Sequence, residues 1–256
     1  MAPTVPRFAG LDAPATWRTV DFISDLHLQA CEPATFEAWR SYMAATPANA
    51  VFILGDLFEV WVGDDVLTLP GFEAGCAAVL RATSLRLPVF FMHGNRDFLA
   101  GVGLMAAAGA TLLHDPTVLA FNRQRFVLTH GDALCLDDHD YMAFRAQVRT
   151  PQWQQAFLAQ PLAHRQAVAR GLREASESRK RSASDYADVD AAAAREWLGA
   201  AQAGVMIHGH THKPAAHDLG GGLQRVVLSD WDAAAQPPRL QVLRLDGGGL
   251  HRLALT

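Results

Sequence analysis

Five short apolar runs in this chain end in residues that can hold a metal ion. FIS precedes Asp25-Leu26-His27, with Ser24 closing the run, and VFIL precedes Gly55-Asp56. VFFM precedes His93-Gly94-Asn95-Arg96-Asp97, FVLT precedes His130-Gly131-Asp132, and VMI precedes His208-Gly209-His210-Thr211-His212. Asp25 and His27 are two apart, so on a regular strand they face the same side. Asp25, His27, Asp56, Asn95, His130, His208 and His210 together offer two carboxylates, one amide oxygen and four imidazoles. That is more than one ion needs and suits two. A mixed oxygen and nitrogen set fits Mn²⁺, Fe or Zn²⁺ better than Mg²⁺ or Ca²⁺. Two divalent ions roughly 3.5–4 Å apart can activate water and clamp a phosphoryl oxygen, so the chemistry implied is hydrolysis of a phosphate ester or anhydride. Singly the signals are weak. A lone His is more often a hydrogen-bonded or surface group, GD is a common turn pair, and Asp25 alone could cap a turn. Their joint occurrence, in order and each after an apolar run, is what is specific.

The elements that must position these groups are short buried strands. TVDFIS (19–24), AVFIL (50–54) and PVFFM (88–92) alternate with a helix opened by Pro33, a second over about Phe72 to Leu85, and a third ending near Gly109. Two more strands meet around Asn122-Arg123, GVMI (204–207) follows, and hairpins turn at Gly220–Gly222 and Gly247–Gly249. The pattern predicts a layered α/β sheet of mixed direction, with the ligands at the carboxyl ends of strands. Residues of about 139–203 are rich in Ala, Arg and Gln, carry no strand signal and are broken by Pro151 and Pro161. They read as a helical cap insertion. Residues 1–17 read as a flexible tail before a domain spanning 18–256.

Of the 256 residues, 50% are hydrophobic and 19% charged, which supports a large core and excludes global disorder. The net charge of −4 speaks against a nucleic-acid binder. Cys31, Cys76 and Cys135 form no CxxC pair, so they read as small core groups in a reducing compartment. No apolar run approaches the roughly 18 residues of a membrane span, and no signal-peptide core opens the chain. A cytoplasmic protein is expected, with peripheral membrane contact allowed. Trp61 reads as exposed. His93, His212, Asp97 and Asp132 read as groups that orient neighbouring ligands.

The strings SDLHL, LGDLFEVWVGDD, FMHGNRDFL, LTHGDALCLDD and IHGHTHKPA are far more specific than their ligands alone. Over about Val20 to Val227 they resemble the calcineurin-like metallophosphoesterases, and within them the branch that hydrolyses UDP-2,3-diacylglucosamine in lipid A biosynthesis. The resemblance implies two mixed β-sheets flanked by helices, with a metal pair, usually Mn²⁺, at the sheet ends. It implies one ion on Asp25, His27, Asp56 and His210 and another on Asp56, Asn95, His130 and His208, with Asp56 shared. It further implies Asn95, Arg96 and His208 as catalytic and substrate-binding groups, and Asp138, Ser176 and Lys180 as substrate contacts. Near Lys180 the spacing departs from the family, and Arg181 and Ser182 compete for that role. VLSDWD (227–232) also departs from relatives that read GAWH. The implied reaction is water attack on the α-phosphorus of a lipid-linked UDP-sugar. It releases UMP and 2,3-diacylglucosamine 1-phosphate at the cytoplasmic face of the inner membrane.

Arg96 stands where many of these phosphoesterases carry His. A guanidinium cannot serve as a proton donor. A phosphate leaving group, with a second pKa near 6, does not need one, so Arg96 favours a diphosphate and can grip phosphoryl oxygens in a fork. The cap segment offers apolar residues (Phe144, Val148, Trp153, Phe157, Leu158, Leu162, Val168, Leu172) and basic ones (Arg165, Arg170, Arg173, Arg179, Lys180, Arg181). The bland reading is a helical hairpin with solvated arginines. The functional one is a groove for acyl chains, worth about 0.8 kcal/mol per buried CH₂, with basic groups meeting diphosphate or an anionic membrane surface. A phosphoesterase for a soluble nucleotide or phosphodiester is opposed by the apolar insert. A metal-free scaffold is opposed by the retention of all seven ligand positions.

Overall fold

The computed structural model describes residues 5–171 and 188–255. The runs VDFI, AVFIL and VFFM become β2 (Val20–Ile23), β3 (Ala50–Leu54) and β4 (Val89–Met92), buried at every position. Their sequences do not alternate because both faces of the sheet are covered. They pair in parallel, Ile23 with Ile53 and Ile53 with Phe91. β5 (Thr111–Leu113) and the antiparallel pair β11 (Gln241–Asp246) and β12 (Gly249–Ala254) complete a six-stranded sheet in the order β12-β11-β2-β3-β4-β5. A second six-stranded sheet joins β1 (Ala9–Asp12), β6 (Thr117–Phe121), β7 (Gln124–Leu128), β8 (Val205–His208), β10 (Leu223–Val227) and β9 (Ala216–Gly220), in that order.

The sheets face each other across Phe22, Phe52, Phe90, Leu119, Phe126 and Ile207. Phe52 stacks on Phe90 at 4.7 Å between ring centroids, an aromatic contact worth about 1 kcal/mol beyond its area. α1 (Pro33–Ala45), α2 (Phe72–Ser84) and α3 (Val102–Ala108) cover the outer face of the first sheet through Trp39, Leu80 and Leu104. This is the expected sandwich of two mixed sheets flanked by helices. It brings the ends of β2, β3 and β4 from one sheet to those of β7 and β8 from the other.

The N-terminus differs from the expected flexible tail. Residues 9–12 form β1, parallel to β6 with Leu11 opposite Leu119. Leu11, Ala13 and Trp17 pack on the inter-sheet core. Four residues flanked by Pro and Ala carry too little pattern to read as a strand, and the partner strand supplies the stability.

In the segment read as a cap, α4 (His139–Val148), α5 (Pro151–Leu158) and α6 (described over 162–171) are helical. α7 (Ala191–Ala201) buries Ala194, Trp197 and Leu198 with Val127 and Met206, so it belongs to the outer layer of the second sheet. Arg165 is not a solvated arginine. It is 1% exposed, donates to Gln160 O at 2.9 Å and Val62 O, and pairs with Asp65. A guanidinium with its donors thus met can stay charged when buried. Trp61 is buried, against the expected exposure, with its indole N–H donating to Asp64 at 3.0 Å. Cys31 is exposed, whereas Cys76 and Cys135 are buried as expected. Among the described residues no helix is long and apolar enough to cross a membrane.

Deleting residues 1–12 should lower Tm by about 3–6 °C, corresponding to about 1–2 kcal/mol in a chain of this size. A loose tail would leave Tm unchanged in the same thermal scan.

Candidate metal centre

The backbone at the strand ends is bent in an unusual way. Asp25, His27, Asp56, His210 and His212 have φ of 54°, 49°, 52°, 66° and 54°. For residues with a Cβ this left-handed region costs about 1 kcal/mol or more each, and it persists only where surrounding contacts enforce it. Those contacts are visible. Asp25 N donates to Gly55 O at 3.1 Å, His27 N to Asp56 O at 3.1 Å, Trp231 N to Asp25 O at 3.0 Å and Gly209 N to His130 O at 3.0 Å. The Asp97 carboxylate accepts from Gly94 N and Leu57 N, both at 2.8 Å, and from Asp56 N at 3.3 Å. It therefore holds the loops that carry Asp56 and Asn95, rather than a ligating His as expected. Two glycines are needed for close approach. A Cβ at Gly94 would overlap the Asp56 carboxylate, and one at Gly209 would overlap that of Asp25.

Six of the seven expected ligands converge. Asp25, Asp56 and His130 present ligand atoms within 4.8 Å of one another, and so do Asp25, His27 and His212. Asn95 Oδ1 lies 3.0 Å from His130 Nε2 and 2.9 Å from His210 Nδ1. His130 Nδ1 is 2.9 Å from Leu54 O, so that nitrogen carries the proton and Nε2 turns to the site. Asp25 is common to both groups, and His212 joins through Nε2, 3.4 Å from Asp25 and 3.2 Å from His27 Nε2. His208 stands apart. Its Nδ1 faces Gly209 O at 2.8 Å and its Nε2 faces Arg225 at 3.4 Å, with Arg225 paired to Asp188 at 2.7 Å. Buried carboxylates and imidazoles with this donor chemistry fit divalent transition ions.

Other expected groups are placed differently. Arg96 N donates to Asp56 Oδ1 at 2.8 Å, and its guanidinium lies 3.6 Å from Glu59. His93 bonds Ala100 O at 2.6 Å and orients no ligand. Asp132 meets Tyr141 Oη at 2.6 Å and Arg145 at 2.8 Å instead of His130. Asp138 is exposed and caps α4, accepting from Tyr141 N at 3.0 Å. Ser176 and Lys180 lie outside the described residues. The departure at VLSDWD puts Asp230 3.9 Å from His212 Nδ1 and 3.0 Å from Arg239. Sequence reading missed Glu59, Arg149 and Arg225. Glu59 breaks the apolar run LFEVWV and Arg225 breaks LQRVV, and an ion inside a buried strand or loop is the signal that marks them. Arg149, from just beyond α4, donates to Gly94 O at 2.9 Å and covers the Phe98 ring at 4.9 Å.

Burial and charge act against each other here. Burial pushes the Asp25 carboxyl up, but His212, His130 and His27 together hold it well below the usual range. Burial pushes His130 down, but Asp56, Asp25 and Asp132 carry it up to about 9. His27 is likewise raised, by Glu59, Asp56 and Asp25 against burial. Burial lowers His208 to about 4, with Arg225 adding to the effect. His208 is therefore neutral near pH 7 in the metal-free protein.

A raised His pKa means stability that is full below about 6.5 and lost as pH rises through about 9. Metal-stripped protein should therefore become less stable between those values on account of His130. Loading Mn²⁺ at pH 7 should release protons, read as buffer-dependent heats in calorimetry. Heats independent of the buffer would show that these imidazoles are already neutral.

A family model described as calcineurin-like phosphoesterase matches residues 18–214. The chain is 46% identical to a UDP-2,3-diacylglucosamine hydrolase of Chromobacterium violaceum, over 92% of this chain and 98% of that protein. It is 44% identical to one of Bordetella pertussis, over 89% and 92% respectively. Among solved structures, the E. coli phosphoesterase Yfce aligns with a TM-score of 0.46 at 15% identity, over 93% of this chain and 100% of that one. The chain belongs to the calcineurin-like phosphoesterases, in the group of its UDP-2,3-diacylglucosamine hydrolase relatives.

Proposed function

We propose that the chain hydrolyses the diphosphate of UDP-2,3-diacylglucosamine in lipid A biosynthesis. The reading is carried by the convergence of Asp25, Asp56, Asn95 and His130 beside Arg96, in a chain whose relatives bear that name. Divalent ions at this site, of which Mn²⁺ is our choice, would activate water and neutralise phosphoryl charge. Asp25, Asp56, His130, Asn95 and their histidine neighbours would hold them. Water oxygen bonds to the α-phosphorus, and the bond from that phosphorus to the bridging oxygen breaks. The 2,3-diacylglucosamine 1-phosphate leaves with the bonding pair, UMP remains, and the proton passes to solvent. The leaving phosphate needs no proton donor, which agrees with Arg96 in place of an acid. The Arg96 fork instead binds phosphoryl oxygens.

Support for an acylated substrate comes from the seam between α6 and the core. A cleft of about 130 Å³ there is lined by Leu28, Phe58, Val60, Phe72 and Ala169, with Glu59 and Arg170 at its polar side. Apolar walls next to a phosphate-handling site suit the glycolipid end of the substrate. Work at the cytoplasmic face of the inner membrane is part of the same proposal, since the substrate is a lipid.

Hydrolysis of UDP-2,3-diacylglucosamine in oxygen-18 water should require Mn²⁺, stop with chelator and put the label in UMP. Label in the sugar phosphate would overturn the attack site. Brisk hydrolysis of simple phosphodiesters with none of this lipid would overturn the substrate. Arg96→Lys keeps the charge and loses the fork, so kcat/KM should fall by about 10–100-fold.

A further inference from the structure

Glu59 has no place in the ligand pattern, yet it sits between one member of it, His27, and Arg96. Its Oε2 is 3.1 Å from His27 Nδ1 and its Oε1 is 3.6 Å from Arg96 Nη1. The residue is 9% exposed. Its position is set by the backbone. Glu59 N donates to Leu28 O at 3.2 Å, Leu28 N to Leu57 O at 2.9 Å, and Trp61 N to Arg96 O at 3.0 Å. Residues 57–61 are thus stitched between the loop that carries His27 and the loop that carries Arg96. A carboxylate beside a group that grips phosphate weakens that grip by its own charge. Its presence in a site already holding Asp25 and Asp56 calls for an offsetting gain.

We propose that Glu59 is a positioning residue serving both neighbours. One oxygen stands 3.1 Å from His27 Nδ1, close enough to accept its N–H although the two are not aligned as a hydrogen bond here, and that pairing would fix the tautomer that turns Nε2 toward a metal. The other holds the Arg96 guanidinium at a set distance from the same ion. One carboxylate thereby registers the phosphate grip against the metal site. His130 uses the same device with Leu54 O as its acceptor. This rests on His27 being a metal ligand, as in the proposed function.

Glu59→Gln and Glu59→Leu separate orientation from charge, because both remove the charge and only the first keeps an acceptor. Chelator-treated protein is titrated with Mn²⁺ alone by calorimetry, after circular dichroism has confirmed the fold. Glu59→Gln should bind close to the parent, and Glu59→Leu should bind 10–100-fold more weakly at one site, the effect of losing a ligand's orienting partner. Equal affinities of the two variants would overturn the role at His27. Should Glu59→Leu fail to fold, Glu59→Asp replaces it, since the retracted carboxylate must also lose affinity that Gln keeps. With Mn²⁺ saturating, lost placement of Arg96 should outweigh the relief of charge, so Glu59→Gln should raise KM several-fold, and an unchanged or lowered KM would overturn that half. The titration uses no substrate, so it stands even if the proposed substrate is wrong.

Discussion

Asp25 and Asp56 are brought together in one buried site against their mutual repulsion, and much of the surrounding structure serves to keep them there. Like charges in low dielectric repel strongly unless cations or donors compensate them. Compensation comes in layers. The backbone N–H of His210 donates to both oxygens of Asp25, and that of Arg96 reaches Asp56. The carboxylates in turn raise the His27 and His130 imidazoles against burial, which favours their positively charged forms in the metal-free protein. The left-handed backbone at five of these residues directs the donors and ligands inward, and its strain is held by hydrogen bonds between neighbouring loops.

The six candidate ligands that converge were legible because each follows an apolar run whose end is easy to read. The parallel strands β2, β3 and β4 were legible for the same reason, since burial on both faces writes a continuous apolar word. Groups whose role depends on contacts between distant loops were not legible. Nothing local in GNRD tells that Asp97 collects amides from the loop after β3, or that His93 turns to Ala100. Arg165 reads as one of several cap arginines, and only its meeting with Asp65, a hundred residues earlier, explains its burial. β1 escaped because its pairing partner, rather than its own pattern, makes it a strand.

The first cap helix is tied to the site more tightly than the word cap suggests. Tyr141 and Arg145 of α4 meet Asp132 in the loop that carries His130. Arg149 reaches Gly94 O in the loop that carries Asn95. The Tyr141 ring lies 5.8 Å from that of His210. Three loops of the centre therefore share contacts with little more than two helical turns of sequence, Tyr141 to Arg149. This helix and the strand ends that carry the candidate ligands are parts of one packed arrangement.

The ligands come from strands of both sheets, and that has a consequence for the life of the protein in a cell. The candidate ligands meet only when the two halves of the sandwich have docked, so an ion that bound them would bind the folded chain alone. Mass action then makes metal supply a term in stability, of size RT ln(1 + [M]/Kd). A shortage of the ion would reduce turnover and, by the same linkage, enlarge the unfolded fraction offered to proteases. The abundance of the enzyme would follow the metal that it uses.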